Sequence, residues 1–289
     1  MAATEYVLMN QDIPVLDFTC RRNEFDEPEF FEGTWHVDYR PIGYRGLAAF
    51  LEHRKAPKHR EHIRQLLEQY GCDDLEGFLQ VTRALSLNDT FWVKRQGEVL
   101  QWRDVSLYTN PFSEVISEAA FDGTVSETDF SSTSPEFGTD GYYAKCWIRE
   151  ESGIKLYKSG SAFLEIEPLS EFLASQLAEG ICRQAVLYDL DYYHGKLISK
   201  CPLFTSETVG LAKASAVFHG AEHTIPDLLQ YFRGIGSEDA FRRMCILDAI
   251  ILNPDRHYGN FGVLFDTATM EVLQMAPVSV SYTHLTLPT

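Results

Sequence analysis

Ile246-Leu247-Asp248-Ala249-Ile250-Ile251-Leu252-Asn253-Pro254-Asp255-Arg256-His257-Tyr258-Gly259-Asn260-Phe261-Gly262-Val263-Leu264-Phe265 passes from an apolar run through a short polar cluster into a second apolar run. The first run belongs to a helix expected over 238–252, with Met244, Ile246, Leu247, Ile250 and Ile251 on its apolar face. Asp248 sits inside that face and reads as a buried structural carboxylate. In the polar cluster, Asp255 and Asn260 are five positions apart. Arg256 reads as an anchor to a carboxylate, and His257 as a residue that hydrogen-bonds the loop.

Upstream of this loop the texture alternates. Residues 136–149 place Gly138 and Gly141 before a β-prone stretch containing Lys145 and Trp147, and 150–153 is a turn. Ile154-Lys155-Leu156-Tyr157-Lys158 alternates as a strand. Residues 169–180 read as an amphipathic helix with Ser170 as N-cap and Gly180 as its stop. Strand signals return at 184–190 and 196–201, with His194-Gly195 turning between them. A short helix is expected at 226–233.

Before a soft boundary near 124–135, the chain is harder to read. Residues 5–19 form a strand pair around Gln11-Asp12-Ile13-Pro14, whereas 20–45 carry no clear signal. Helical spacing over 46–70 breaks near Pro57. Gly71 then stops a helix, and Asp73-Asp74 cap a second one through about Leu85. His53, His59 and His62 are interleaved with Arg and Lys and read as a solvated face rather than metal ligands. Residues 90–94 and 98–102 flank Arg95-Gln96-Gly97 and predict a hairpin. A loop and a short helix begun near Asn110-Pro111 follow.

Composition narrows the function classes. Of 289 residues, 45% are hydrophobic, enough for one large core or two smaller ones. With 42 acidic against 25 basic residues the net charge is −17, which disfavours direct contact with nucleic acid or an anionic membrane. Six cysteines are scattered without a C-x-x-C pair, and most of them read as buried free thiols of a reducing compartment. The start of the chain lacks a secretion signal, and no apolar stretch approaches the ~18 residues of a membrane helix. A cytoplasmic protein is expected.

The order of the candidate residues points to phosphoryl transfer. That chemistry needs a cover for the phosphates, a strand lysine, a helix carboxylate to orient the lysine, a hydroxyl-positioning Asp and metal ligands. Taken singly, Gly141, Lys158 and Glu171 read as a turn glycine and solvated charges, and Lys200 is an equally arguable strand lysine. In sequence order, however, the chain offers Gly141, Lys158, Glu171, a hinge candidate at Ile198-Ser199-Lys200-Cys201, a helix, and then Asp255-x-x-x-x-Asn260. An Asp and an Asn at this spacing orient a hydroxyl and bind magnesium in kinase catalytic loops.

The stretch Asn253-x-Asp255-Arg256-His257-x-x-Asn260-Phe261-Gly262 resembles the catalytic loop of the HipA-like serine/threonine kinases, bacterial enzymes related in fold to the phosphatidylinositol 3/4-kinases. Gly141-x-x-x-Lys145, Lys158 and Glu171 are similar to that family's N-lobe pattern. The resemblance implies an α+β, bilobal protein-kinase-like fold over 131–278, with 1–130 an additional N-terminal α/β region of uncertain role. It implies ATP and Mg2+ as cofactors, and a protein Ser or Thr as acceptor. In roles, Asp255 would be catalytic and Asn260 a magnesium ligand, Lys158 would contact the phosphates with Glu171 orienting it, and Gly141 and Lys200 would lie at the nucleotide. A small DNA-binding, antitoxin-like partner is also implied.

The chain departs from the pattern at its end. The family has Ala-Pro-Val-Phe-Asp about twenty residues after the catalytic Asp, the last residue binding metal. Here Ala276-Pro277-Val278 is followed by Ser279 and Val280. Residues 279–289 resemble translated sequencing-adapter read-through, so the expectation is a non-native tail, an incomplete C-lobe and an inactive, poorly soluble form. A pseudokinase-like binding module, and a lipid or small-molecule kinase on the same fold, remain open alternatives.

Overall fold

The computed structural model describes residues 3–54, 74–112, 121, 145–160, 166–218 and 223–279. Gly138, Gly141, His59, His62, Cys72, the boundary at 124–135 and the tail from Val280 lie outside the described residues, as does most of the helix expected after Asn110-Pro111.

The amino-terminal strand pair is present. β1 (Thr4–Asn10) and β2 (Ile13–Arg22) are antiparallel, and Gln11 turns the chain with a positive φ of 49°. β3 (Pro28–Trp35), in the stretch without sequence signal, joins β2, and β4 (Phe91–Arg95) joins β1, giving the order β3-β2-β1-β4. Strand side chains alternate between faces. Tyr6 and Leu8 therefore face α1 (Leu47–Glu52) and α2 (Leu75–Thr82), while Val7 and Met9 face Trp92, Leu87 and Trp102. Both faces of β1 are buried, which is why its apolar run is continuous. The Asp74 cap is as expected, its carboxylate accepting from Gly77 N at 2.8 Å, although α2 ends at Thr82.

The hairpin expected across Arg95-Gln96-Gly97 does not form. β4 pairs with β1 over Tyr6–Asn10, where both strand faces find a core. Glu98 instead folds back, accepting from Arg95 N (3.1 Å) and clasping both terminal nitrogens of Arg83 at 2.9 and 2.8 Å. Val99 is left 95% exposed. A reciprocal Gln101–Asp104 cap then starts α3 (Trp102–Val105) where the second strand was expected.

A second sheet has the order β5-β6-β8-β7, from β5 (Lys145–Glu150), β6 (Gly153–Ser159), β7 (Asp189–Tyr193) and β8 (Lys196–Pro202). Helix α4 (Ile166–Ile181) packs against it. Ser170 is not its N-cap. The helix starts earlier, with Pro168 in the first turn, where a missing N–H costs nothing, and Ser170 Oγ donates to the Ile166 carbonyl at 2.8 Å. Gly180 lies inside the last turn rather than stopping it. The strand expected from 184 begins only at Asp189, because Ala185 and Val186 bridge Val278 instead.

The third sheet, β11-β10-β9, is built from β9 (Val209–Lys213), β10 (Gly262–Asp266) and β11 (Val272–Met275). α5 (Ala214–Val217), α6 (Ile225–Gly234) and α7 (Glu238–Ile250) accompany it. Phe232 of α6 stacks on Phe241 of α7 with ring centroids 4.8 Å apart, over Leu247, Val263 and Met275. Of the apolar face expected on α7, Met244 and Leu247 are buried, but Ile246 and Ile250 are exposed. A Cβ on Gly262 would meet the Ala212 carbonyl at 2.2 Å, so only glycine lets β10 run this close to β9.

Polar bonds join the first sheet to the rest. Asn10 Nδ2 donates to the Thr267 carbonyl (2.7 Å), Trp102 Nε1 donates to Glu207 (2.6 Å), and Arg149 donates to the carbonyls of Leu107, Tyr108 and Asn110. Cys20, Cys146, Cys182 and Cys201 are buried free thiols. Among the described residues no helix is long and apolar enough to cross a membrane.

Candidate functional site

The antiparallel register selects the side chains of the site. Directly opposed residues share a face. Lys145 opposes Lys158, Leu156 opposes Cys201, and Lys158 opposes Ser199. All point to one side of the sheet, where Lys145, Leu156, Lys158 and Cys201 line a cleft of about 230 Å³. Asn260 and Gly262, from the loop between α7 and β10, line it from the third sheet.

Lys158 is held by two side chains, Glu171 and Tyr188. Its ammonium donates to Glu171 Oε1 at 2.9 Å and to the Tyr188 hydroxyl at 3.1 Å, and it lies 4.9 Å from the centre of the Tyr188 ring. Burial is the largest single influence and opposes the charge, but Glu171, Tyr188 and Cys201 together outweigh it, and the ammonium's pKa is raised. Glu171 is itself buried, and its second oxygen accepts from Ser199 Oγ at 2.5 Å. One carboxylate thus joins α4 to two strands. The Tyr188 hydroxyl also meets Ser279 Oγ at 2.9 Å, and burial raises its pKa. Burial pushes the Cys201 thiol up to about 11.

The loop carrying Asp255 is braced from α7. Arg256 clasps Asp248 through two bonds of 2.8 Å, and Asn253 Nδ2 donates to the same carboxylate at 2.9 Å. Arg256 also donates to the carbonyls of Asn260 (2.9 Å) and Ser279 (3.3 Å). Arg256 thus anchors the loop to a carboxylate as expected, and Asp248, expected to be buried, is half-buried. His257 Nδ1 accepts from Gly259 N at 3.0 Å, a bond within the loop. Asn260 Nδ2 donates to the backbone carbonyl (2.6 Å) and the carboxylate (3.3 Å) of Asp255.

The expected residues do not all gather at the cleft. Lys158 and Asn260 line it, Glu171 stands behind Lys158, and Asp255 stands behind Asn260. Lys200 is a correction. It opposes Tyr157 and faces the other side of the sheet, where its ammonium binds Asp191 at 2.6 Å. That bond raises its pKa. The expected hinge over 198–201 is likewise displaced, since the lining continues through Cys201-Pro202-Leu203-Phe204-Thr205. Gly141 lies outside the described residues.

Several lining residues carry no sequence signal: Tyr188, Lys213 and the segment Ser86-Leu87-Asn88 from the amino-terminal region. That segment is pinned to the site by Leu211 N, which donates to the Asn88 carbonyl at 2.7 Å, and by Thr205 Oγ1, which donates to the Leu87 carbonyl at 2.5 Å.

Magnesium prefers six oxygen ligands in near-octahedral geometry. Asp255 and Asn260 are adjacent oxygen donors, but among the described residues no group of three His, Cys, Asp or Glu side chains could hold a metal ion. Val280 stands where the next carboxylate was expected. These residues alone do not make a magnesium site.

No protein-family profile and no curated protein matches this sequence. Among solved structures, the proinflammatory kinase CtkA of Helicobacter pylori matches 47% of this chain at 19% identity and a TM-score of 0.40. The chain spans about half of that protein, 53% of its length. HipA of Shewanella oneidensis MR-1, from a toxin–antitoxin complex with HipB and operator DNA, matches with a TM-score of 0.55 at 11% identity, over 95% of this chain and 76% of that one. A match so wide takes in the amino-terminal sheet as well as the cleft. With its antiparallel sheets, its buried Lys158–Glu171 pair and its braced Asp255 loop, the chain has the HipA-like kinase fold.

Proposed function

We propose that the chain is a kinase that transfers the terminal phosphoryl group of ATP to a serine or threonine hydroxyl of a protein. The observation that carries this reading is the 2.9 Å pair between Lys158 and Glu171 on one wall of a cleft whose other wall bears Asn260. An ammonium fixed in this way is a positioned counter-charge for phosphate oxygens, and phosphoryl transfer depends mainly on positioning and charge stabilisation. In this reading Lys158 contacts the phosphates, Glu171 orients it, Asp255 positions the acceptor hydroxyl, and Asn260 contributes to magnesium bound with the nucleotide. Lys200 has no part in it.

One observation favours a second reading, a nucleotide-binding module without transfer: the position expected to hold the second metal carboxylate is Val280. The two readings separate on the full chain. Nucleotide binding and transfer of labelled phosphate to a protein acceptor are measured with Asp255 and with Asp255→Asn. The kinase reading expects transfer that D255N abolishes and binding that it spares. Binding without transfer in either form selects the module.

HipA of Shewanella oneidensis was crystallised with HipB and operator DNA. A small DNA-binding protein is accordingly the proposed partner here, since the net charge of −17 disfavours direct contact with DNA. Co-purification of such a partner with the tagged full chain tests this.

A further inference from the structure

A lysine ammonium has three N–H donors. Among the described residues two acceptors meet that of Lys158: Glu171 Oε1 at 2.9 Å and the Tyr188 hydroxyl at 3.1 Å. With two N–H bonds fixed, the direction of the third is fixed as well. Glu171 alone would leave the group free to turn about a single bond. Lys158 lines the cleft, so this third donor is the one a ligand oxygen can meet there.

Tyr188 is placed by the same helix as Glu171. Glu171 and Ser175 are four positions apart on α4 and share one of its faces. The first accepts from Lys158, and Ser175 Oγ accepts from Tyr188 N at 3.1 Å. The tyrosine ring is held too. It is buried with Val186 and Cys201, and Leu156 packs against them.

The segment leading to Tyr188 is also the seam between the two walls of the cleft. Val186 N donates to the Val278 carbonyl and Val278 N to the Gln184 carbonyl, each at 3.0 Å. Ala276 N donates in turn to the carbonyl of Gly262, two positions after Asn260, at 2.9 Å. Glu171 therefore ties the ammonium to α4 and, through Ser199, to β8, whereas Tyr188 ties it to the wall that bears Asn260.

We infer that Tyr188 is a positioning residue: with Glu171, its hydroxyl aims the remaining N–H of Lys158 at a phosphate oxygen of the bound nucleotide. The identity of that oxygen rests on the nucleotide reading of the cleft; the hold on Lys158 does not. A tyrosine that served packing alone would bury its ring and leave the ammonium to Glu171.

The test uses the full chain and Tyr188→Phe, which keeps the ring and removes the hydroxyl. One readout needs no nucleotide: the rate at which an N-hydroxysuccinimide ester acetylates Lys158, followed by peptide mass spectrometry. Y188F should label about tenfold faster, because an ammonium that loses an acceptor gives up its proton more readily. The other readout is the ratio of the affinities for ATP and adenosine. Y188F should lower that ratio about tenfold, as loss of a hydrogen bond to a charged group does, with adenosine affinity unchanged. In a Lys158→Met background, Y188F should leave the ratio unchanged.

Unchanged labelling, or an equal loss of ATP and adenosine affinity, overturns the inference and makes Tyr188 a packing residue. Ser279→Ala removes the hydroxyl's contact with Ser279 Oγ and should leave Lys158 labelling as it is. Labelling in S279A as fast as in Y188F overturns the assignment to Lys158. Failure of the nucleotide reading shows separately. A chain that binds neither ATP nor adenosine overturns that reading, and labelling then decides the hold on Lys158 by itself. Faster labelling with the ATP preference unaltered keeps the hold and overturns its role toward the phosphate.

Discussion

The Lys158 ammonium and the Glu171 carboxylate lie 2.9 Å apart, with Glu171 accepting a further bond from Ser199. Thirteen positions separate the two residues in the chain. Both are largely withdrawn from water, so each charge depends on the other.

Glu171→Ala leaves the Lys158 ammonium buried without its counter-charge. Breaking a buried pair from one side costs about 3–5 kcal/mol. Urea unfolding should register that loss, and nucleotide titration should show weaker binding. Lys158→Met should reduce nucleotide affinity as well. A double-mutant cycle with clear coupling is expected, and additivity would contradict the interdependence of the pair.

Asp248 touches no cleft atom, yet it holds the Asp255 loop through Arg256 and Asn253. Asp248→Ala should destabilise the protein by about 1.5–3 kcal/mol, the range for hydrogen bonds to charged groups. Amide exchange in 253–260 should accelerate more than in β10. If exchange rises equally in both, Asp248 is not a local brace.

The Glu150–Tyr157 contact sets an acid limit. Tyr157 OH donates to Glu150 at 2.6 Å, and this bond is the main cause that lowers the Glu150 pKa to about 2. A carboxylate with a depressed folded-state pKa adds stability above its unfolded value of about 4.3 and loses it as pH falls towards 2. Tyr157→Phe should therefore destabilise the protein near neutral pH by about 1.5–3 kcal/mol. The gap from the unsubstituted chain should close as pH drops from above 4 towards 2. A gap constant with pH would assign the loss to packing instead.

Val280→Asp places a carboxylate two positions after Val278. Titrating labelled ATP with magnesium and with a chelator should show magnesium dependence increased about tenfold or more, as a second hard oxygen ligand provides. Equal magnesium dependence in V280D and the unsubstituted chain would count against this position as a metal ligand.

Much of the site was legible because its signals are local. Asp255 and Asn260 share one loop, and the alternation around Lys158 already marks a strand. The failures came where partners are distant. Residues 98–102 look like a strand, but β1, eighty-odd residues earlier, offers β4 a better edge. Lys200 and Lys158 look equivalent along the chain, and only the register of β8 against β6 turns one to the cleft and the other to Asp191. Ser170 resembles a cap until Pro168 places the helix start before it.

The sequence by itself determined the strand around Lys158 and the helices expected at 169–180, 226–233 and 238–252, because hydrophobic period and short-range spacing are properties of neighbours. Only the tertiary structure decided that Asp255 stands behind Asn260, that Tyr188 meets Lys158, and that Ser86-Leu87-Asn88 of the amino-terminal region walls the cleft. The Tyr188–Lys158 bond joins different elements, and the 86–88 segment is held by Thr205 and Leu211 from far along the chain. The cost and reward of these bonds exist only once water has been excluded from between the partners.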